Sequence, residues 1–262
     1  LALGNVLGSN IFNICMIIGV VSLIAPLTIK KDAASKDFPM CLIAAVIVGV
    51  CGNQMYFDGI RYHELMLSDA IVFLCFFSIF IYYTLQEAIS AESMARVITG
   101  APASEQAVIK KEISPIKTVV FIVLGLAGLA YGGDLIVDGA TGVAEAFGLS
   151  ERVIGLLIVG PGTSLPELIT SIVAALKKNS DIVIGNILGS NTFNIFFTLA
   201  VTAIIQPVSL DLGLNIAVII NVIITLLLVL YAWFSRQKQV GRTIGMLLIA
   251  AYMAYTFYTV IF

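Results

Sequence analysis

The chain has 262 residues, 60% of them apolar and 11% charged, with a formal charge of −2. Soluble domains carry about a quarter of their residues as charged side chains. This composition therefore excludes a soluble globular enzyme or a nucleic-acid-binding protein and describes an integral membrane protein.

A hydrocarbon core takes about 20 helical residues to cross, and apolar runs of that order fall at 4–25, 40–57, 66–86, 117–137, 153–176, 182–206, 213–234 and 243–261. The reading is an all-α polytopic protein with about eight transmembrane helices present. No basic leader or small-residue cleavage site precedes the first run, and residue 1 is leucine, so the start reads as a truncation. Cys15, Cys41, Cys51 and Cys75 all lie in spans as small apolar groups, and their spacing suits no zinc site.

The first span opens on GNVLGSNIFN at Gly4, and GNILGSNTFN returns at Gly185. Residues 4–26 aligned without a gap on 185–207 share twelve identities in twenty-three positions, which marks an internal duplication. The second copy is the fifth helix after the first, so the two cross the membrane in opposite directions. Inverted repeats of this kind build many secondary transporters, with the substrate held near the midplane where the repeats meet. The expected organisation is a five-plus-five inverted-repeat antiporter fold: 1–86 the last three helices of a partial first repeat, 87–116 a cytoplasmic linker, and 117–262 a complete second repeat. Counterparts of the two helices between Lys117 and Ser180 would lie before Leu1, together with half of any symmetric site.

Alternating spans gather Lys30, Lys31, Lys36, Arg96, Lys110, Lys111, Lys117, Lys177, Lys178, Arg236, Lys238 and Arg242 on one side and leave Arg61 and Arg152 on the other. The excess of basic residues marks the cytoplasmic side. The expected location is the cell membrane, the inner one in a Gram-negative organism, with the C-terminus outside.

The fifth span carries GPGTSLPELITS, Gly160 to Ser171. Pro166 has no N–H and clashes with the carbonyl of Gly162, so the helix is expected to break between Gly160 and Leu165 and to free the carbonyls of Gly162 and Thr163. Glu167 follows, a carboxylate near bilayer depth that costs at least about 2.5 kcal/mol to insert and calls for a cation or a proton. Helical spacing places Thr163 and Ser164 on its side of the helix. Oxygen donors suit a hard cation such as calcium, and with no histidine or thiolate near them they do not suit zinc or copper. In the repeated decamer, Asn186, Ser190 and Asn194 form a polar stripe at four-residue spacing, matched by Asn5, Ser9 and Asn13. Gly185 and Gly189 form a GxxxG pair that permits close helix approach.

GTSLPE followed by GNILGSNTFN resembles the alpha repeats of the sodium/calcium exchanger branch of the calcium/cation antiporters, over 117–206 and from Gly4 onward. The resemblance implies that Glu167 binds calcium and sodium, that Thr163 offers its backbone carbonyl, and that Ser164, Ser190 and Ser9 serve sodium. It places Asn13 and Asn194 where the family carries Asn or Asp. Asn194 stands where potassium-dependent relatives carry aspartate, which speaks against potassium cotransport. The implied function is exchange of calcium for sodium by alternating access, with no cofactor beyond the transported ions.

Other readings of the same residues remain open at this stage. A calcium/proton antiporter would protonate the glutamate, a cation channel would line a pore with the broken helix, and Ser9, Asn13, Ser190 and Asn194 could serve only as contacts between helices. An enzyme is disfavoured because Ser164 has no base beside it and His63 lies in an outer loop. Asp134 and Asp138 read as a solvated helix end.

Overall fold

The computed structural model describes residues 2–54, 64–99 and 115–261. Almost all of these residues are helical, as expected for a backbone that must satisfy its hydrogen bonds internally in lipid. The helices are α1 (Ala2–Ile24), α2 (Ala33–Cys51), α3 (Leu67–Thr99), α4 (Pro115–Ala146), α5 (Arg152–Thr163), α6 (Leu165–Leu176), α7 (Ser180–Ile205), α8 (Leu212–Phe234) and α9 (Arg242–Ile261). Six of them are long and apolar enough to cross a membrane, and α5 with α6, bent by 42°, makes a seventh span. The remaining expected span falls on α4, a helix of 32 residues.

Three boundaries differ from those that hydropathy suggests. The helix α2 begins at Ala33 and ends at Cys51, where the run 40–57 was expected, because its first turns are the polar segment AASKD, a helical stretch that apolarity does not reveal. The helix α3 continues to Thr99 rather than ending near 86, since EAISAESMARVIT holds good helix formers and no breaker. At the far end of α4 the chain stays helical through Asp134 and Asp138 and turns at Gly148, whose φ of +74° is the left-handed cap that glycine accepts without strain. Both aspartates are exposed. Residues 100–114 of the expected linker, and His63, lie outside the described residues.

The inversion can be followed along the backbone. Where α1 ends, the strand β1 (Leu27–Thr28) meets the start of α7: the Thr28 N–H donates to Ser180 Oγ at 3.1 Å, and Lys30 pairs with Asp181 at 2.5 Å. The two repeated helices therefore run antiparallel. Three further short strands are β2 (Glu64–Leu65), β3 (Val208–Ser209) and β4 (Gln239–Val240). The strand β1 pairs antiparallel with β4, while β3, its counterpart in the second repeat, pairs with β2. Each repeat thus lends the other a strand.

The helix α1 is enclosed along most of its length, whereas α3 and α9 turn most of their residues outward, where Ile71, Leu85, Leu247 and Phe257 are exposed as a lipid-facing surface would be. Lipid is as apolar as leucine, so close fit rather than the hydrophobic effect holds such helices together. Glycine provides that fit where α1 meets α5. A Cβ on Gly8 would collide with the carbonyl of Leu156, and one on Gly160 would come within 2.7 Å of the Ser9 nitrogen. The second GxxxG pair behaves differently: among the described residues, nothing lies within 4 Å of a Cβ built on Gly185 or Gly189. Close approach was expected at Gly185 and Gly189 and is found instead in the first copy, at Gly8, with Gly4 in ordinary contact with Gly155. The reason is that α5 covers the first pair, and no described helix covers the second.

Candidate cation site

The break in the fifth span falls at one residue. Ser164, with φ −92° and ψ 4°, leaves the helical conformation, and its N–H turns to the carbonyl of Pro161 at 3.1 Å. An undisturbed helix would have given that N–H to the carbonyl of Gly160, which is instead taken by two hydroxyls, Ser9 Oγ at 2.9 Å and Thr163 Oγ1 at 3.0 Å. The hydrogen bonds thus draw in the Gly160 carbonyl as well, two residues before Gly162 and three before Thr163, whose carbonyls were expected to be freed.

The bend separates the motif into two groups. Thr163 ends α5 and faces α1, where its Oγ1 lies 3.1 Å from Ser9 Oγ and 3.0 Å from Asn5 Oδ1. Four oxygens, those of Ser9, Thr163, Asn5 and the Gly160 carbonyl, share only two hydroxyl protons, which leaves lone pairs in excess. Glu167 opens α6 and faces α7. Its Oε1 lies 3.5 Å from Ser190 Oγ, but that hydroxyl has a closer acceptor in the Asn186 carbonyl at 2.9 Å. The shorter bond takes the single proton. The other carboxylate oxygen, Oε2, is buried with no hydrogen-bond partner among the described residues. The described ion pairs, Lys30 with Asp181 and Lys36 with Glu87, lie elsewhere. A carboxylate so poorly supplied with donors attracts a cation. Asn186 steadies the start of α6, its Nδ2 donating to the Glu167 carbonyl at 3.3 Å and to Ser171 Oγ at 3.2 Å.

The third group holds Asn13 and Asn194. Each opens a π-helical stretch, Asn13–Ile17 and Asn194–Leu199, at the same place in the two repeats. Such wide turns re-aim side chains and recur at functional sites. Asn13 Nδ2 donates to Asn191 Oδ1 at 2.9 Å, and Asn194 Nδ2 donates to Asn10 Oδ1 at 3.1 Å. Asn10 and Asn191 in turn donate to each other's backbone carbonyl at 3.2 and 3.1 Å. Asn13 Oδ1 remains buried without a partner among the described residues.

Of the residues expected from sequence, the structure joins Ser9 to Thr163 and Glu167 to Ser190, and it links Asn13 to Asn194 through two asparagines. Ser164 is buried at the bend itself. The sequence reading missed Asn10 and Asn191. Both lie off the four-residue stripe, and the available signal was their shared place in the duplicated decamer.

The sequence model of the sodium/calcium exchanger protein family matches residues 1–86 and 117–261. The chain belongs to the sodium/calcium exchanger family. Among relatives, the inner membrane protein YrbG of Escherichia coli is 32% identical over 258 residues, 97% of this chain and 75% of YrbG. The sodium/calcium exchanger MaX1 of Methanosarcina acetivorans is 42% identical over 99 residues, 37% of this chain and 28% of its own. Among solved structures, the sodium-calcium exchanger NCX_Mj soaked with sodium and strontium superposes with a TM-score of 0.72 at 29% identity, covering 97% of this chain and 75% of that one. The all-α, inverted-repeat membrane fold is therefore that of this exchanger family, a family of transporters rather than enzymes.

Proposed function

We propose that this chain forms most of an antiporter that exchanges calcium for sodium, and that Glu167, Thr163, Ser164, Ser190, Asn194, Ser9 and Asn13 hold the transported ions in turn. The observation that carries the reading is the Oε2 of Glu167, buried with no hydrogen-bond partner among the described residues, on a half-helix that starts at a bend. Hard, weakly polarisable cations prefer such donors. Sodium and calcium have nearly the same radius, so one set of oxygens serves both and they compete.

The uncovered face beside Gly185 and Gly189 is the two-fold counterpart of the face that α5 covers beside Gly4 and Gly8. In this reading a bent helix equivalent to α5 and α6 occupies it in the complete protein and brings a second carboxylate. Two carboxylates neutralise one calcium, while three or more sodium ions leave excess positive charge, so exchange moves charge across the membrane.

The test uses the full-length protein in sealed vesicles. An outward sodium gradient should drive calcium uptake, a pH gradient alone should not, and Glu167→Gln should abolish uptake while the protein remains folded. Uptake driven by the pH gradient alone would identify a calcium/proton antiporter. Wild-type uptake by Glu167→Gln would remove Glu167 from the site.

A further inference from the structure

An amide side chain has an oxygen end that accepts and a nitrogen end that donates, and the two have nearly the same shape. Packing alone does not choose which end faces a cation. The choice falls to whatever binds the other end. In this chain it can be traced step by step to a group that has no alternative, a backbone carbonyl, which can only accept.

Asn10 Nδ2 donates to the backbone carbonyl of Asn191, so the Asn10 amide is held with Oδ1 directed away from that carbonyl, and there it receives Asn194 Nδ2. The Asn194 amide is thereby held with its oxygen end turned away from Asn10. The mirror path starts at the backbone carbonyl of Asn10, which receives Asn191 Nδ2. Asn191 Oδ1 receives Asn13 Nδ2, and Asn13 Oδ1 is the buried oxygen without a partner. Asn10, Asn13 and Asn191 are at most 1% exposed, so water does not replace the bonds among them, and Asn194 is half-buried.

We propose that Asn10 and Asn191 are positioning residues that orient the amides of Asn194 and Asn13, so that the cation site meets only their oxygens. The proposal rests on the reading above, that Asn13 and Asn194 face the transported ion. Turning either amide over would oppose two oxygens, Asn13 Oδ1 to Asn191 Oδ1 or Asn194 Oδ1 to Asn10 Oδ1. It would also point N–H donors at a cation. The path has an unexpected pairing. Asn10 sits three residues from Asn13 on the same helix, yet it governs Asn194 on the other repeat, and Asn191 governs Asn13.

That pairing supplies the test, in the full-length protein in vesicles, read as the calcium concentration that half-saturates sodium-driven uptake. Asn194→Ala and Asn10→Ala are each expected to raise it about tenfold, the worth of one well-made polar contact to a charged group. Asn10→Ala added to Asn194→Ala should change it less than about twofold, because the residue it orients is gone, whereas Asn10→Ala added to Asn13→Ala should compound. Asn191→Ala should show the converse, redundant with Asn13→Ala and additive with Asn194→Ala, and it provides an independent arm should one variant fail to fold in detergent. A general packing role would give the same additivity in every pair. If Asn13→Ala and Asn194→Ala leave calcium affinity unchanged, the ion-site reading falls and takes the orientation role with it. If they weaken calcium while Asn10→Ala and Asn191→Ala do not, or do so additively in all pairs, only the orientation role falls.

Discussion

At the scale of single residues, proton counting separates the members of the site. Ser9 and Thr163 share acceptors in the Gly160 carbonyl and Asn5, so their hydrogens are directed there and lone pairs remain for an ion. Ser9→Ala in the full-length protein is expected to raise the half-saturating sodium concentration about fivefold, the worth of about 1 kcal/mol. Sodium titration of calcium uptake checks it, and unchanged sodium dependence would leave Ser9 a helix contact only. Glu167 was legible in sequence because a carboxylate behind a proline in an apolar run has no other ready explanation. Asn10 and Asn191 were not, because an asparagine's role depends on which partner it faces. That partner lies 181 residues away along the chain and is set by helix crossing.

At the scale of elements, the glycine face of α1 and the bent pair α5 and α6 form one unit. Gly8→Ala would push a methyl group into the Leu156 carbonyl, and neither backbone can yield without opening the helix contact. The expected cost is about 3 kcal/mol, or a fall of about 8 °C in the detergent melting temperature. Gly128, with nothing among the described residues within 4 Å of a Cβ, provides the contrast, and Gly128→Ala should melt no lower than the parent. Equal melting of the two variants would overturn the close packing of α1 on α5. The bend was legible in sequence through Pro166, whose missing N–H takes the helical donor from the Gly162 carbonyl, but the part played by the Gly160 carbonyl was not. A proline removes its own N–H, whereas the tilt that reassigns the Ser164 N–H, and so frees Gly160, depends on how α5 settles against α1. The π-helical turns at Asn13 and Asn194 were invisible for a related reason. One extra residue in a turn leaves the apolar pattern almost unchanged.

At the scale of the whole molecule, the reciprocal strand exchange and the antiparallel meeting of α1 and α7 describe two interlocked repeats rather than two separable domains. With basic residues concentrated on one side, the C-terminus is expected to face outward. A cysteine added at the C-terminus, in a background without the four native ones, should react with a membrane-impermeant maleimide in intact cells; protection until the cells are lysed would reverse the orientation. The sequence by itself determined that the chain is a membrane protein, that it is built on an inverted duplication, and that a carboxylate, Glu167, follows a proline inside an apolar span. These follow from composition and repetition, which are properties of the chain read in order. Only the tertiary structure decided that the bend divides Thr163 from Glu167, that the Gly160 carbonyl turns to Ser9, that among the described residues one glycine pair is covered and the other open, and that four asparagines join the repeats. Each of these is a contact between helices distant in sequence, fixed by how their surfaces fit, and lipid offers no hydrophobic gradient along the chain from which to read that fit.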